Sequence, residues 1–358
     1  MCGSEVASAN YRKSQRHLTD TSTENNRKTV AYECMKSVDV SVVLPILNEE
    51  RHLADTISAI TSQDFDGQLE VILALGPSRD RTNEIARALA AADSRIVLVD
   101  NPTGKTAAGL NAAIAESKHS IICRIDGHAE ISPTYIRDAI RILNSQGAVN
   151  VGGIMAAEGR TTFEKSVATA MRSKLGVGSS RFHTGGEAGP SDTVYLGTFQ
   201  KAALLAAGGF DERFTRAQDW ELNFRLRAQG GIVWFDPSLV VTYRPRSSLK
   251  ALAKQYFQYG RWRHAVSRSH KGSVNFRYLA PPTAVLILIA SAITGALITP
   301  ILYLPLITYL LAILAGSAAI GRSWREKIVL PSVLATMHIA WGLGYLTSPP
   351  GLIAEGQK

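Results

Sequence analysis

The stretch Val40-Ser-Val-Val-Leu44 is a run of β-branched and apolar residues, and it predicts a buried β-strand. Similar apolar runs follow at 69–75, 96–99 and 120–125, and helices are predicted between them at 48–62, 79–92 and 106–117. Strands that alternate with helices at this spacing predict an α/β fold, with a mostly parallel sheet and helices on both faces. Ligands of such sheets bind beyond the carboxyl ends of the strands. We therefore look for a site after Leu44, Leu75 and Ile125.

The regular alternation stops after Asn150. Residues 156–191 are rich in glycine and polar residues and predict a long loop, which inside an enzyme domain is usually functional. Beyond it we expect a strand at 194–199, helices at 201–207 and 218–229, and short strands at 232–235 and 239–243.

The C-terminal part of the chain is strongly apolar. No charged residue occurs from Leu279 to Ile320, and 328–346 is a second uncharged stretch. Because a helix needs roughly 20 apolar residues to cross a bilayer, these stretches predict two membrane passes and then one. Pro300 and Pro305 lie where the turn between the first two helices would fall. The alternative is a buried helical hairpin in a large soluble protein.

Positive charge is concentrated just before the apolar region. The formal net charge is +9, and nine Lys or Arg residues but no acid occur between Arg244 and Arg277. Arg322, Arg325 and Lys327 form a second cluster between the second and third apolar segments. Since Lys and Arg are retained on the cytoplasmic side, three crossings would place residues 1–277 in the cytoplasm, in a multi-pass protein of the cell membrane. No aromatic recognition motif accompanies the charge, so we expect contact with membrane lipids and no nucleic-acid partner.

Arg124-Ile-Asp-Gly-His128 is the first candidate for chemistry. Asp126 leaves the end of a predicted buried strand and His128 follows two residues later, so the pair could hold a divalent cation against a diphosphate. Mg²⁺ prefers oxygen ligands, whereas Mn²⁺ accepts an imidazole more readily. The alternative is an ordinary strand-end turn in which Asp126 caps and His128 is exposed.

Gln218-Asp-Trp-Glu-Leu-Asn-Phe-Arg-Leu-Arg227 is the second candidate. Asp219 stands at a predicted helix start, where capping is the simplest role. Helical spacing puts Asp219, Leu222 and Asn223 on one face and turns Arg225 elsewhere. If that face meets a cleft, Asp219 could act as the general base that deprotonates an acceptor hydroxyl.

These motifs together resemble the family 2 glycosyltransferases, which have the GT-A fold, a Rossmann-like nucleotide-diphospho-sugar transferase domain. Over about residues 39–265 the chain is similar to the family in four motifs taken in order: the opening strand and turn at Ser41-Val-Val-Leu-Pro-Ile-Leu-Asn-Glu-Glu50, the segment Gly104-Lys-Thr-Ala-Ala-Gly-Leu-Asn111, Asp126-Gly-His128 in place of the metal motif, and Gln218-Asp219 in place of the base motif. The pattern is most similar to the membrane-anchored, ExoA-like succinoglycan-biosynthesis subgroup. Leu75 departs from it, standing where the family commonly has an acid that contacts the nucleotide base.

The resemblance implies an inverting transfer from a nucleotide-sugar donor. Asp219 would be the catalytic base, and a divalent cation, Mn or Mg, would be held by Asp126 and His128. Donor-binding residues are implied in the motif segments, together with the Gln-x-x-Arg-Trp pattern of processive members: Pro45, Leu47, Asn48, Glu49, Lys105, Asp126, Gln258, Arg261 and Trp262. For that last pattern an interfacial amphipathic helix is the alternative, since Leu252, Tyr256, Tyr259 and Trp262 form an apolar stripe.

We therefore expect five regions: a disordered tail at 1–36, a GT-A catalytic domain at 37–245, a basic amphipathic interfacial segment at 246–278, about three transmembrane helices at 279–347 and a short tail at 348–358. The three cysteines, Cys2, Cys34 and Cys123, are too few and too scattered for a disulfide framework and fit a reducing cytosol. The expected acceptor is lipid-linked or a polysaccharide precursor. A processive polysaccharide synthase and a catalytically silent membrane-bound nucleotide-binding scaffold are the alternatives.

Overall fold

The computed structural model describes residues 38–355, with side chains up to residue 353. The tail predicted over 1–36 lies outside the described residues. One compact unit, made of Val40–Phe65 and the chain from Leu69 onward, holds the described strands and helices.

A mixed sheet carries the site. Its nine strands are β1 Val40–Ile46, β2 Leu69–Leu75, β3 Ile96–Asp100, β4 Ile121–Arg124, β5 Glu130–Ile131, β6 Asn150–Ala157, β7 Gly189–Pro190, β8 Tyr195–Gln200 and β9 Val233–Tyr243. Their order in space is β3-β2-β1-β4-β8-β6-β9-β5, with β7 paired to β9. The first four strands are parallel, as predicted. The other half is mixed because β8 runs antiparallel to both β4 and β6.

Helices follow most of the strands. They are α1 Leu53–Thr61, α2 Thr82–Ala92, α3 Thr106–Glu116, α4 Tyr135–Ser145, α5 Thr162–Met171, α6 Lys174–Val177, α7 Arg181–Thr184, α8 Lys201–Ala206, α9 Gln218–Ala228, α10 Leu249–Ser269, α11 Ala280–Leu297, α12 Leu304–Ile320, α13 Trp324–Leu346 and α14 Leu352–Glu355. Val42, Val43, Ile72 and Leu73 are completely buried. Strands covered on both faces in this way are continuous apolar runs in the sequence, which is why the first four were predicted close to their true bounds.

The prediction of a long loop over 156–191 is wrong for much of that segment. It contains α5, α6 and α7, and strand β6 extends to Ala157. A capping box starts α5, because Thr161 Oγ1 accepts from the Glu164 N–H and the Glu164 carboxylate accepts from the Thr161 N–H. Val167 and Met171 of α5 are one turn apart, and both side chains are buried.

The strand order creates a crevice. From β1 the chain moves outward to β2 and β3 and then returns to place β4 on the other side of β1. The loops that leave the carboxyl ends of β1 and β4 therefore separate in opposite directions, which is the arrangement that opens a binding crevice in α/β sheets.

The basic segment before the apolar region faces the protein more than expected. In α10 the stripe residues Leu252, Tyr256 and Trp262 are buried, so most of the stripe faces inward and is not available to a membrane. Several of the nine cations between Arg244 and Arg277 also contact the protein. Arg244 pairs with Glu130 and Glu158, and Arg277 pairs with Asp192. The Arg263 guanidinium lies over the rings of Trp220 and Tyr278. The cations of this segment that stay exposed include Arg246, Lys250, Lys254 and Lys271.

Among the described residues, three helices are long and apolar enough to cross a membrane. They are Phe276–Leu297, Pro300–Ile320 and Trp324–Leu346, judged by length and composition. Short 3₁₀ turns at Phe276–Tyr278 and Pro300–Tyr303 begin the first two. Pro300 lies in the turn between α11 and α12, as predicted, whereas Pro305 lies in the first turn of α12.

Candidate active site

The crevice brings the segments after β1 and β4 into contact. Glu49 Oε1 lies 2.8 Å from His128 Nδ1. The imidazole is 44% exposed and the Glu49 side chain 17% exposed. The hydrogen bond to Glu49 raises the pKa of His128 above its ordinary value, and burial partly opposes that rise. Glu49, expected to bind the donor, thus orients the imidazole expected to bind the metal.

A buried arginine joins the two predicted aspartates. Arg124, the last residue of β4, is only 4% exposed, and its Nη2 lies 3.0 Å from Asp126 Oδ1. Its Nη1 donates to Asp219 Oδ1. One guanidinium therefore holds both carboxylates, each about a quarter exposed. Arg124 lies within the motif that contains Asp126 and His128, but its sequence pattern predicted no role for it.

Asp219 is fixed by the start of α9. Ala217, immediately before the helix, has a left-handed backbone with φ of 59°, a conformation that is unfavourable for a residue with a Cβ. On the same helix face Leu222 and Asn223 are buried, and the Asn223 amide bonds both Asn150 and Thr193. This buried polar chain fixes the rotation of α9 and so the direction of the Asp219 carboxylate.

A second buried carboxylate secures the other side of α9. Glu221 is completely buried and accepts two hydrogen bonds from Arg225, one turn later. His270, just beyond α10, approaches Glu221 Oε1 at 2.9 Å. Arg225 also donates to the carbonyls of Ala207 and Gly209. Helix α9 is thereby attached to the segment before it and to the residue that follows α10. The i,i+4 spacing of Glu221 and Arg225 was the sequence signal that could have revealed this ion pair.

Asp219 has the electrostatics of a base. Burial raises the pKa of Asp219 above its ordinary value; the Arg124 charge opposes that rise and the Asp126 charge adds to it. A carboxylate with a raised pKa accepts a proton more readily than a solvated one, and its hydrogen bond to Arg124 still holds it in place.

The predicted donor residues of the first turn lie along the carboxyl edge of the sheet. Asn48 adopts a left-handed backbone, and its side chain accepts from the Arg79 N–H at 2.8 Å. Leu47 is 39% exposed, and its side chain lies against Gly76 and Gly104. An added Cβ would come within 3.0 Å of the Leu47 side chain at Gly76 and within 3.5 Å at Gly104, so both glycines let Leu47 pack close to the backbone of the neighbouring turns.

Two further predicted donor residues frame α3. Pro45 lies against Gly109, where an added Cβ would come within 3.1 Å of the proline ring. Lys105 precedes the helix as its N-cap, and its carbonyl accepts from Asn101. Both help to place α3 beside the crevice, where the Lys105 charge would be close to a bound donor.

The side chains present fit a divalent cation that is shared with a ligand. Within residues 38–355 no group of three or more His, Cys, Asp or Glu side chains is placed to hold a metal. Asp126 uses Oδ1 for Arg124, which leaves Oδ2, and His128 uses Nδ1 for Glu49, which leaves Nε2. A histidine whose other nitrogen bonds a carboxylate is the usual form of a metal-binding imidazole. Two protein ligands plus diphosphate oxygens match the coordination of Mg²⁺ or Mn²⁺ in phosphate sites.

Comparison with known proteins agrees with this geometry. The model of the family described as glycosyl transferase family 2 matches residues 41–201. The succinoglycan biosynthesis protein ExoA of Rhizobium meliloti is 31% identical over 318 residues, which cover 87% of this chain and 95% of that protein. The chain belongs to glycosyl transferase family 2.

Other proteins extend the comparison. The dolichyl N-acetyl-alpha-D-glucosaminyl phosphate 3-beta-D-2,3-diacetamido-2,3-dideoxy-beta-D-glucuronosyltransferase of Methanococcus voltae is 26% identical over 86% of this chain and 95% of its own length. The mannosyltransferase PcManGT of Pyrobaculum calidifontis, solved with GDP-Man and Mn²⁺, superposes with a TM-score of 0.59 at 18% identity and covers 84% of this chain and 86% of its own. The fold is therefore that of the GT-A glycosyltransferases, and this family 2 protein is a glycosyltransferase.

The Gln-x-x-Arg-Trp segment is placed differently from what its resemblance to processive family 2 enzymes implied. Trp262 is buried, and its ring packs against Phe214 with 6.0 Å between centroids, so it has no face to offer a sugar. Arg261 lies over the Phe257 ring at 5.8 Å, and its buried Nε has no hydrogen-bond partner among the described residues. Gln258 is half-buried. Donor contact by Trp262 has no support from this packing and stays a prediction, whereas the unpaired Nε of Arg261 still has hydrogen-bonding capacity.

Proposed function

We propose that this glycosyltransferase inverts the anomeric carbon of a nucleotide-sugar donor and transfers the sugar to a lipid-linked or polysaccharide-precursor acceptor at the cytoplasmic membrane face. The single observation that carries the proposal is the Arg124 bridge, which puts the donor-side Asp126 and the base Asp219 within reach of one guanidinium. An inverting transfer needs these two functions on opposite sides of one anomeric carbon.

The reaction is a single displacement. Asp219 accepts the proton of the acceptor hydroxyl, whose oxygen bonds to the anomeric carbon while the bond from that carbon to the nucleoside diphosphate breaks. A divalent cation held by Asp126 Oδ2 and His128 Nε2 would neutralise charge on the departing diphosphate. Arg124 keeps both carboxylates in place, and Glu49 binds Nδ1 of His128 and leaves its Nε2 for the cation.

Three observations support the donor, acceptor and orientation. The structural neighbour PcManGT was solved with GDP-Man and Mn²⁺, and the relative from Methanococcus voltae is named for transfer to a dolichyl-phosphate-linked sugar. The exposed cations Arg246, Lys250 and Lys254 lie near the start of α10, where they would face anionic lipid. Retention on the cytoplasmic side is the usual fate of such clusters.

The test is a transfer assay on the full chain in nanodiscs. Nucleotide sugars are screened with Mn²⁺ or Mg²⁺ against a membrane-lipid extract, and release of nucleoside diphosphate is measured together with the mass of the lipid product. We expect metal-dependent turnover with one nucleotide and an inverted linkage by NMR. A retained linkage, or metal-independent turnover, would contradict the proposal.

Product length separates the leading proposal from the processive alternative. One added sugar per acceptor supports single transfer, and a ladder of products supports a polysaccharide synthase. Burial of Trp262 favours single addition, because the ring cannot stack on a growing glycan. Selective nucleotide binding with no turnover on any acceptor would instead support the silent scaffold.

A further inference from the structure

The third apolar helix, α13, is held by the catalytic domain at its beginning. Glu326, in its first turn, is 7% exposed, and its Oε2 accepts from Thr169 Oγ1 of α5 at 3.0 Å. Val333 and Met337 then pack in one buried cluster with Val167 and Met171 of α5. The first half of α13 is therefore part of the catalytic body.

The end of α13 is held by the same body. Arg268 of α10 donates to the Ser348 carbonyl at 3.0 Å, and His264 stacks on Tyr345 with ring centroids 4.4 Å apart. Leu352, a few residues later, is buried in the cluster that contains Phe214 and Trp262. The segment that follows α13 thus returns into the catalytic domain.

These attachments are incompatible with a crossing. A helix of 23 residues is about 34 Å long at 1.5 Å per residue. Because a hydrocarbon core is about 30 Å thick, crossing it would put the two ends of α13 on opposite sides of the bilayer. Here both ends bond to one folded domain, which occupies one side. Two glycines allow α10 and α13 to pack closely. A Cβ at Gly260 of α10 would lie 2.0 Å from the Trp341 carbonyl oxygen, and a Cβ at Gly344 of α13 would lie 2.0 Å from the Phe257 carbonyl oxygen.

The turn between the first two apolar helices presents the opposite picture, although Ile313, further along α12, is buried in the same cluster as Val333 and Met337. The turn that joins α11 to α12 is apolar and exposed, with Leu297 80%, Ile298 72%, Ile301 72% and Leu304 62% exposed. No charged residue lies between Leu279 and Ile320. A turn that emerged into water on the far side would leave these side chains solvated, whereas hydrocarbon would cover them.

Many backbone polar groups of this turn are either hydrogen-bonded within the protein or absent. Ser291 Oγ donates to the Leu302 carbonyl at 2.6 Å and accepts from the Leu306 N–H at 3.3 Å. Pro300 and Pro305 carry no N–H, and a 3₁₀ turn over Pro300–Tyr303 bonds part of the remainder. Irregular backbone at membrane depth is tolerated only where its polar groups are bonded internally, and here much of that need is met.

We propose that the hairpin α11–α12 enters the bilayer from the catalytic side and ends within the hydrocarbon, while α13 lies along the catalytic domain without crossing. The partner of the exposed hairpin surface is the acyl-chain region of a membrane. This arrangement differs from the three crossings predicted from length and charge, and it puts the segments before and after the apolar region on one face. It holds whatever sugar is transferred.

Cysteine accessibility in sealed membrane vesicles tests the arrangement. The background carries Cys2→Ser and Cys34→Ser and keeps Cys123, whose complete burial raises the pKa of its thiol to about 12 and shields it from reagent. Single cysteines are then introduced as Gly351→Cys, where an added Cβ meets open space, and as Ile301→Cys at the hairpin turn. Arg87→Cys, on the exposed face of α2, reports the side of the catalytic domain.

A membrane-impermeant maleimide is applied to vesicles of each orientation. Gly351→Cys should react from the same face as Arg87→Cys, and Ile301→Cys should react from neither face until detergent is added. Reaction of Gly351→Cys from the opposite face only would restore three crossings and overturn the placement of α13. Reaction of Ile301→Cys from the opposite face would show a hairpin that crosses twice and overturn its ending in hydrocarbon. Retained nucleotide binding by each variant shows that the fold survives.

Discussion

Two charged groupings lie close together at the carboxyl ends of β1 and β4, and they are built differently. Arg124 with Asp126 and Asp219 has its cation 4% exposed, whereas Glu49 and His128 form a pair with the imidazole 44% exposed. Removing one member of a buried ionic grouping leaves uncompensated charge, while an exposed pair is screened by water. The proposed base is therefore held by a buried cation, whereas the imidazole proposed to bind metal is oriented by a single accessible contact.

The largest effect is expected at the base itself. Asp219→Asn keeps the shape of the side chain but cannot accept a proton at neutral pH, so the turnover number should fall by about 10³-fold. Donor affinity should be nearly unchanged. Transfer kinetics and nucleotide titration measure the two quantities. Asp236→Asn, in the irregular part of β9 where the pairing with β6 shifts register, is the control and should keep full activity. Full turnover of Asp219→Asn would remove Asp219 from the mechanism.

Removal of the bridging cation should affect folding as well as rate. Arg124→Met leaves two carboxylates without their shared partner and should destabilise the protein by about 3 kcal/mol. Arg124→Lys keeps the charge but loses the fork that reaches both aspartates, so it should be intermediate. Denaturant unfolding in detergent gives the free energies. Equal stability of Arg124→Met and the parent protein would show that the bridge contributes nothing.

A substitution in the Glu49–His128 pair should lower the affinity for metal and hardly change the stability of the protein. Glu49→Gln removes the carboxylate that orients His128, and Mn²⁺ affinity in the presence of nucleoside diphosphate should fall by about 10- to 100-fold. Electron paramagnetic resonance of free Mn²⁺ measures it. Glu50→Gln, the neighbouring exposed acid, is the matched control. Loss of Mn²⁺ affinity in both variants, or in neither, would contradict the claim that Glu49 supports metal binding by His128.

The smallest effect is a displacement of the acid limb of the pH profile. The ordinary pKa of an aspartate is 3.8, and burial raises the pKa of Asp219 above it. Only the ionised base accepts a proton, so activity should be lost as pH falls through this raised value, at a pH above the ordinary one. Single-turnover rates with buffers of constant ionic strength test this. A limb at or below pH 3.8 would contradict the raised pKa.

Much of the donor side could be predicted because it is local. The strand that ends at Arg124 delivers Asp126 and His128 two residues apart, and the helix start delivers Asp219; each is set by a few consecutive residues. The Arg124–Asp219 contact joins positions 95 residues apart, and no local pattern encodes it. The Gln-x-x-Arg-Trp segment shows the converse: its pattern suggested ligand contact for Trp262, but tertiary packing placed that ring against Phe214.

The sequence by itself determined the alternation of strands and helices, the strand-end and helix-start carboxylates and the uncharged stretch at 279–320, because periodicity and charge act over one turn or one strand. Only the tertiary structure decided that Glu49 orients His128, that Arg124 unites the two aspartates and that α13 packs against α5 and α10. Hydropathy and length cannot distinguish a helix that meets lipid from one that meets protein. That distinction depends on which distant surface covers the apolar side chains, and it is settled when the chain folds.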